Sequence, residues 1–402
     1  MQNKIIALVT LAALLLSGCM ELGRPYDHDT LNHFTVKAVY PEGYALRGGA
    51  AVTIENAERG IRYTLSTGAD GSASTLLQDG IYRVAVSDRE GLDVFNASED
   101  RVLVSGGDVS ITLNLVHAMA GRLVVKEIYC GGCPKTPAEG TYQSDQYVIV
   151  HNNSSVVTYL DGLCLGGVAP YNSNGSNPWL TPDGALPQDF LPILDAIVRV
   201  SGNGSSFPLE PGGDAVICLR GAIDHAAEYP LSVNLNKPDY FVLYNPNYFD
   251  NERYHPAPGN LIREDHYLEV VIKTGQSNAY ALSMNSPAFV LFQPGDVDLD
   301  EYLKRSGSVR QTPGSSVYVS AIPPEWVTDG VEVFNGSSSG NRKRLLPGID
   351  AGYVSLSETY KGHTLMRKKD NAASDAAGYE ILQDTNNSSN DFYERETQSL
   401  RE

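Results

Sequence analysis

Phe34-Thr35-Val36-Lys37-Ala38-Val39-Tyr40 sets apolar residues at every second position over most of its length. On an extended chain successive side chains point to opposite faces, so Phe34, Val36, Ala38 and Tyr40 share one face and Thr35 and Lys37 the other. That pattern predicts a strand with one buried face, not a helix. Ala51-Val52-Thr53-Ile54-Glu55, Ile81-Tyr82-Arg83-Val84-Ala85-Val86 and Val109-Ser110-Ile111-Thr112-Leu113-Asn114-Leu115 repeat it. Gly43, Gly60, Gly71, Gly80 and the pair Gly106-Gly107 punctuate these runs. Short alternating strands separated by turn residues read as a small β-sandwich over residues 31–118.

Within it, Thr67-Gly68-Ala69-Asp70-Gly71 and then Asp79-Gly80-Ile81-Tyr82-Arg83-Val84 resemble the transthyretin-like, or carboxypeptidase-regulatory-like, module. That module places an Asp-Gly turn before a strand and then a Gly-x-Tyr-x-Val strand. The resemblance implies a spacer or stalk.

The whole chain has 402 residues, with 30 Lys+Arg against 48 Asp+Glu and a net charge of -18. Apolar residues at 42% are enough for a folded protein and exclude wholesale disorder. The acidity argues against nucleic acid or anionic lipid as the main partner, since phosphates are repelled. The 38 Gly, 22 Pro and 23 Tyr point to an all-β, loop-rich architecture.

Residues 119–395 read as a second, larger β domain. Strand signals include Leu123–Tyr129, Gln146–Val150, Asp214–Leu219, Leu268–Lys273 and Phe289–Phe292. Polar insertions at 170–185 and 245–260 separate them. Phe190–Val198 and Val297–Lys304 are the two short helices expected, the second opened by Asp296, Asp298, Asp300 and Glu301, which suit a helix dipole. The same acids match the start of a calcium loop, but Glu301 stands where that loop needs Gly, so the helix start is preferred. Asp384, Asn386, Asn387 and Ser388 are expected to cap the last strand, with Phe392 docked on the core and residues 396–402 frayed.

Leu123–Tyr129, then Asp145-Gln146-Tyr147-Val148-Ile149-Val150-His151-Asn152-Asn153-Ser154, then Tyr159-Leu160-Asp161-Gly162-Leu163, resemble a lamin-tail-like domain, an Ig-like β-sandwich. Pro208-Leu209-Glu210-Pro211-Gly212-Gly213 and the run Asp384–Phe392 extend the likeness. With Trp326–Glu332 and Arg344–Gly352, the region is more similar still to a Bacteroides-type envelope family, domain of unknown function 4876. Neither resemblance implies a reaction. The lamin-tail likeness implies binding or presentation. The envelope family implies company with outer-membrane TonB-dependent receptors, hence an accessory role in uptake.

The N-terminus addresses the cell envelope. Lys4 precedes an apolar run, Ile5 to Leu16, too short to span a bilayer. Leu16-Ser17-Gly18-Cys19 looks like a bacterial lipobox, which makes residues 1–18 a signal peptide, Cys19 the acylated residue and 19–30 a tether. Acyl chains on Cys19 would place the protein in outer-membrane lipid, with the acids Glu21, Asp27 and Asp29 favouring the cell surface.

Cys130, Cys133, Cys164 and Cys218 are an even set in an exported chain and are candidates for disulfides, with pairing open. Cys130-Gly-Gly-Cys133 follows a strand-like run, not the helix start of a redox pair, and no second CxxC completes a zinc site. No nucleophile elbow, metalloprotease pair, phosphate loop or dinucleotide fingerprint occurs. The pairs Asp224-His225 and Asp265-His266 put neighbours on opposite faces. Arg342-Lys343-Arg344 reads as a solvated loop. Tyr244, Tyr248, Phe249 and Tyr254, in an Asn/Pro-rich stretch, are candidates for a binding loop, against packing on the sandwich edge. No catalytic residue, metal or cofactor is assigned. The expectation is a non-enzymatic, lipid-anchored binding protein serving TonB-dependent uptake. A surface adhesin and a hydrolase with a dispersed site are the alternatives.

Overall fold

The computed structural model describes residues 31–401 except 337 and 339. The proposed signal peptide, Cys19 and the tether lie outside the described residues. The fold is nearly all β, as the alternation predicts.

The first domain holds β1 (Leu31–Val39), β2 (Ala51–Asn56), β3 (Ile61–Ser66), β4 (Ser72–Gln78), β5 (Gly80–Glu90), β6 (Asp93–Val104), β7 (Val109–Asn114) and β8 (Val116–Met119). A five-stranded sheet of order β3-β2-β5-β6-β8 faces a three-stranded sheet of order β4-β1-β7. Phe34, Val36 and Ala38 of β1 are buried, and meet Val52, Ile54, Val84 and Val86 across the sandwich. Gly71, at φ 75, turns the chain where a Cβ would strike the Ala38 carbonyl at 2.9 Å.

The second domain begins with β9 (Leu123–Tyr129), β10 (Cys133–Pro134), β11 (Thr141–Tyr142), β12 (Tyr147–Asn152), β13 (Thr158–Tyr159) and β14 (Cys164–Gly167). It continues through β15 (Leu191–Ile193), β16 (Ala196–Arg199), β17 (Pro208–Leu209), β18 (Asp214–Cys218), β19 (Phe241–Val242), β20 (Glu269–Lys273) and β21 (Ala288–Phe292). The last strands are β22 (Val309–Gln311), β23 (Tyr318–Ile322), β24 (Val327–Asn335), β25 (Val354–Leu356), β26 (Thr364–Arg367) and β27 (Phe392–Arg395). Two six-stranded sheets, β19-β18-β12-β9-β26-β27 and β20-β16-β14-β21-β24-β25, enclose the main core. Val125, Val148 and Ile217 from one pack on Leu165, Val198 and Leu291 from the other. A small sheet, β15-β23-β22, covers the outer side of the second.

Phe190–Val198 is not a helix. It forms β15 and β16, broken at Asp195, which sits at φ 55. Both strands are buried on both faces, so their apolar residues run on without alternation and imitate a buried helix. The second expected helix is present as Leu299–Leu303, with Asp298 accepting from the Glu301 amide at 3.1 Å.

Phe392 docks on the core. The tail beyond it is held, contrary to the expected fraying. Buried Glu127 requires donors and receives the Tyr147 hydroxyl at 2.8 Å, the Ser399 amide at 3.1 Å and the Ser399 hydroxyl. Gln398 is buried and donates to the Leu231 carbonyl.

The two sandwiches meet over a polar seam. The Arg83 guanidinium of β5 lies 4.7 Å from the Phe334 ring centre and 4.8 Å from that of Tyr353. Tyr353 donates its hydroxyl to Glu55. Asn387 donates to Ser87 Oγ at 2.7 Å, Asn96 to the Thr385 carbonyl at 2.9 Å and Arg89 to the Asp384 carbonyl at 2.7 Å. The Asn-rich run near the C-terminus thus does more than cap a strand: it fastens one domain to the other.

Candidate functional site

The thiols come first. All four described cysteines are free and buried, which corrects the expectation of disulfides. Their placement explains it. Cys164 packs among Val290 and Ile197 outside the second sheet, while Cys218 packs among Tyr147 and Val216 outside the first. The central core lies between them. Cys130 faces that core, whereas Cys133 turns toward Asp145 Oδ2, 3.7 Å away. Burial pushes the Cys130, Cys133 and Cys164 thiols up to about 12 and raises Cys218 as well. Thiols raised in this way stay protonated at neutral pH, which opposes reaction as nucleophiles.

Asp145 is the centre of a sealed polar cluster. Its Oδ2 accepts from the Tyr129 hydroxyl at 3.0 Å and the Ser232 hydroxyl at 2.5 Å, and burial raises its pKa. Nearby, His225 Nε2 donates to the Gly221 carbonyl at 2.8 Å, so Nδ1 is free to accept from Tyr142 at 2.7 Å. Burial lowers the His225 pKa, which fits a neutral ring. The Asp-His neighbours do point apart: Asp224 caps the turn at Ala227, and His266 stacks flat on Phe241.

A second constellation joins three strands. His151 (β12) meets Asp214 (β18) at 2.6 Å through Nδ1 and the Glu380 carbonyl at 3.1 Å through Nε2. Ligand atoms of His151, Asp214 and Glu380 lie within 4.8 Å of one another, a spacing open to a metal. Lys126 (β9) fills that role itself, its ammonium bonding Asp214 at 2.6 Å and also Glu380. The ammonium and the ring thus hold two carboxylates that still reach solvent.

The aromatic loop divides. Phe249 is 1% exposed and belongs to the main core, stacked on His255. Its place in a binding loop is therefore withdrawn, because the turn 245–249 folds it inward. Tyr244 leans on Tyr267, and Tyr254 receives a hydrogen bond from Gln143 while Arg220 lies over its ring at 4.7 Å. Tyr248 is the exposed member, at 43%.

Open space lies along the seam between the domains, and also in a groove of about 580 Å³ beside Asp161, Arg199 and Asp300. A cleft of about 200 Å³ is lined by Glu55, Arg83, Asp100, Arg101, Phe334 and Tyr353. Arg83 pairs with Asp100 at 2.8 Å, so the charges there are largely balanced. Six residues on along β5, Arg89 borders a wider groove of about 590 Å³ with Arg62 and Lys368. Clefts between domains are common seats for ligands.

Residues 210–399 match the family described as a protein of unknown function (DUF4876). Over that stretch the chain is similar to DUF4876. The crystal structure of a DUF4876 family protein from Bacteroides thetaiotaomicron is similar, with a TM-score of 0.57 at 24% identity, covering 90% of this chain and 94% of that one. That likeness shows the fold. A DUF3823 family protein from Parabacteroides merdae (TM-score 0.18, 16% identity, 34% of this chain and 66% of that one) overlaps far less. No curated protein matches.

The DUF4876 segment carries two buried ion networks that the sequence reading missed. Arg344 is 2% exposed, not solvated; its Nε donates to Glu332 at 2.8 Å and its Nη1 to the Ser286 carbonyl at 2.9 Å. Lys343 donates to the carbonyls of Asp350 and Gly352. Arg367 donates to Asp329 and Asp384 and lies 3.6 Å from Asp391. In this DUF4876 segment the chemistry-bearing groups act as fasteners, and nothing in them points positively to catalysis.

Proposed function

We propose that this is a lipid-anchored envelope binding protein that assists an outer-membrane TonB-dependent receptor in nutrient uptake. The observation that carries the binding role is the seam: its clefts are open, while the buried Glu332, Asp329 and His225 are engaged within the protein. Function is argued from such a site, not from the sandwich fold, which hosts many functions. The lipobox ending at Cys19 supports the anchor, and the acidic surface opposes nucleic acid as a partner.

Replacing Cys19 with Ala tests the anchor. The variant is expected to leave the membrane fraction for the soluble one. Retention in the membrane fraction at controlled salt would remove the lipid anchor from the account. A surface adhesin predicts binding to host cells or matrix with the receptor absent, which cell-binding measurements on a receptor-deleted strain would reveal.

A further inference from the structure

The wider groove on the seam gathers three cations against one lining carboxylate, Asp88. Arg62 of β3 and Arg89 of β5 come from the first domain, and Lys368, next to β26, comes from the second. Arg62 is exposed and makes no side-chain hydrogen bond or ion pair among the described residues. The Arg89 side chain donates only to carbonyls, those of Gly91 at 2.9 Å and Asp384 at 2.7 Å. The Lys368 ammonium donates to the Asn390 carbonyl. In a chain with 48 acids against 30 bases, three cations whose side chains bond no carboxylate among the described residues are unexpected.

The nearby acids have other partners: Glu55, opposite Arg62 in the β2–β3 register, accepts from the Tyr353 hydroxyl. Asp88, which lines the groove, accepts from Arg47 and Tyr40 through Oδ2 and from the Arg89 amide through Oδ1. Asp391 is buried and bonded to Thr385 and its own turn. Burial lowers the Lys368 pKa, and Arg62 lowers it further against the pull of Asp391. Like charges facing one groove repel, and an anion seated among them removes that cost. Guanidinium groups suit the oxygens of phosphate, sulfate and carboxylate.

We infer that the groove formed by Arg62, Arg89 and Lys368 binds an oxyanion group, of the phosphate, sulfate or carboxylate kind, and that the ligand joins both domains. The inference deepens the binding-protein reading and rests on it. The group belongs either to a soluble ligand or to a lipid headgroup.

The test is calorimetric titration of the full mature chain with inorganic phosphate and inorganic sulfate at constant ionic strength. Saturable binding is expected, with a rise in unfolding temperature beyond that in chloride. Arg62→Ala is expected to weaken affinity about tenfold, as for loss of one charged hydrogen bond. Because Arg62 is exposed and makes no side-chain hydrogen bond among the described residues, this variant is expected to retain the fold. Lys304→Ala makes the same charge change at the residue that follows the helix Leu299–Leu303 and is expected to leave affinity unchanged.

Vesicles of phosphatidylglycerol and of phosphatidylcholine separate the two sources, with Cys19→Ala protein so that acyl chains do not mask the result. Binding of the free ions marks a soluble ligand. Arg62-dependent binding to phosphatidylglycerol vesicles without free-ion binding marks a headgroup. No saturable binding of either kind, or equal affinity in Arg62→Ala, overturns the site. Anion binding that survives while receptor recovery fails would overturn the uptake role alone.

Discussion

Arg344 and Glu332 face each other with both side chains shielded from water. Removing one partner leaves a buried charge alone, which costs about 3–5 kcal/mol. Arg344→Met is therefore expected to lower unfolding stability by that amount in urea titration, and an unchanged midpoint would refute the pairing. The sequence shows Arg344 only among basic neighbours, in a stretch that looks solvated. Its partner lies twelve residues earlier, on β24, and only folding brings them together. Phe249 was misplaced for a similar reason: aromatics flanked by Asn and Pro look alike whether they point in or out. Phe249→Ala is expected to cost about 3–5 kcal/mol, and Tyr248→Ala less than about 0.5 kcal/mol. Equal effects would contradict the division of that loop. For the thiols, a cysteine reagent is expected to spare the native chain and to label Cys130, Cys133, Cys164 and Cys218 after unfolding without reductant. Fewer labelled sites would restore a disulfide.

At the scale of elements, Arg367 on β26 gathers carboxylates from β24, from the loop at Asp384 and from the short helix Ser388–Asp391. Three acids around one guanidinium cannot all ionise cheaply in a buried site. Burial, reinforced by Asp384 and opposed by Arg367, raises Asp329 and Asp391 to about 7. An acid raised on folding contributes stability that is complete below its unfolded pKa, about 3.9, and is lost as pH rises through the folded value. Stability is thus expected to fall from pH 6 to pH 8, by about 1 kcal/mol for each of these two groups. Asp329→Asn is expected to flatten that slope; a wild-type stability that climbs over this range would contradict the assignment. β1 was legible because one face meets water and its period of two survives. β15 and β16 were not, because burial on both faces erases the period.

For the whole molecule, composition and alternation made an all-β chain of two sandwiches readable before folding. The seam between them was not readable, because it joins residues as far apart as Glu55 and Tyr353, or Ser87 and Asn387. Each looks like an ordinary surface residue in its own neighbourhood. Arg83 is the side chain that spans the seam most fully, lying over two rings and pairing with Asp100. Calorimetry is expected to show one unfolding transition in the wild type and a first domain that melts earlier in Arg83→Ala. Two separate transitions in the wild type would contradict a fastened pair of domains.

We propose that this pair of sandwiches, anchored through Cys19, works as the binding partner of an uptake receptor. The most direct measurement is recovery of the tagged protein from its native envelope in mild detergent, with partners quantified by mass spectrometry. A TonB-dependent receptor is expected in stoichiometric amount. Recovery of the protein without a receptor, at controlled detergent and salt, would contradict it.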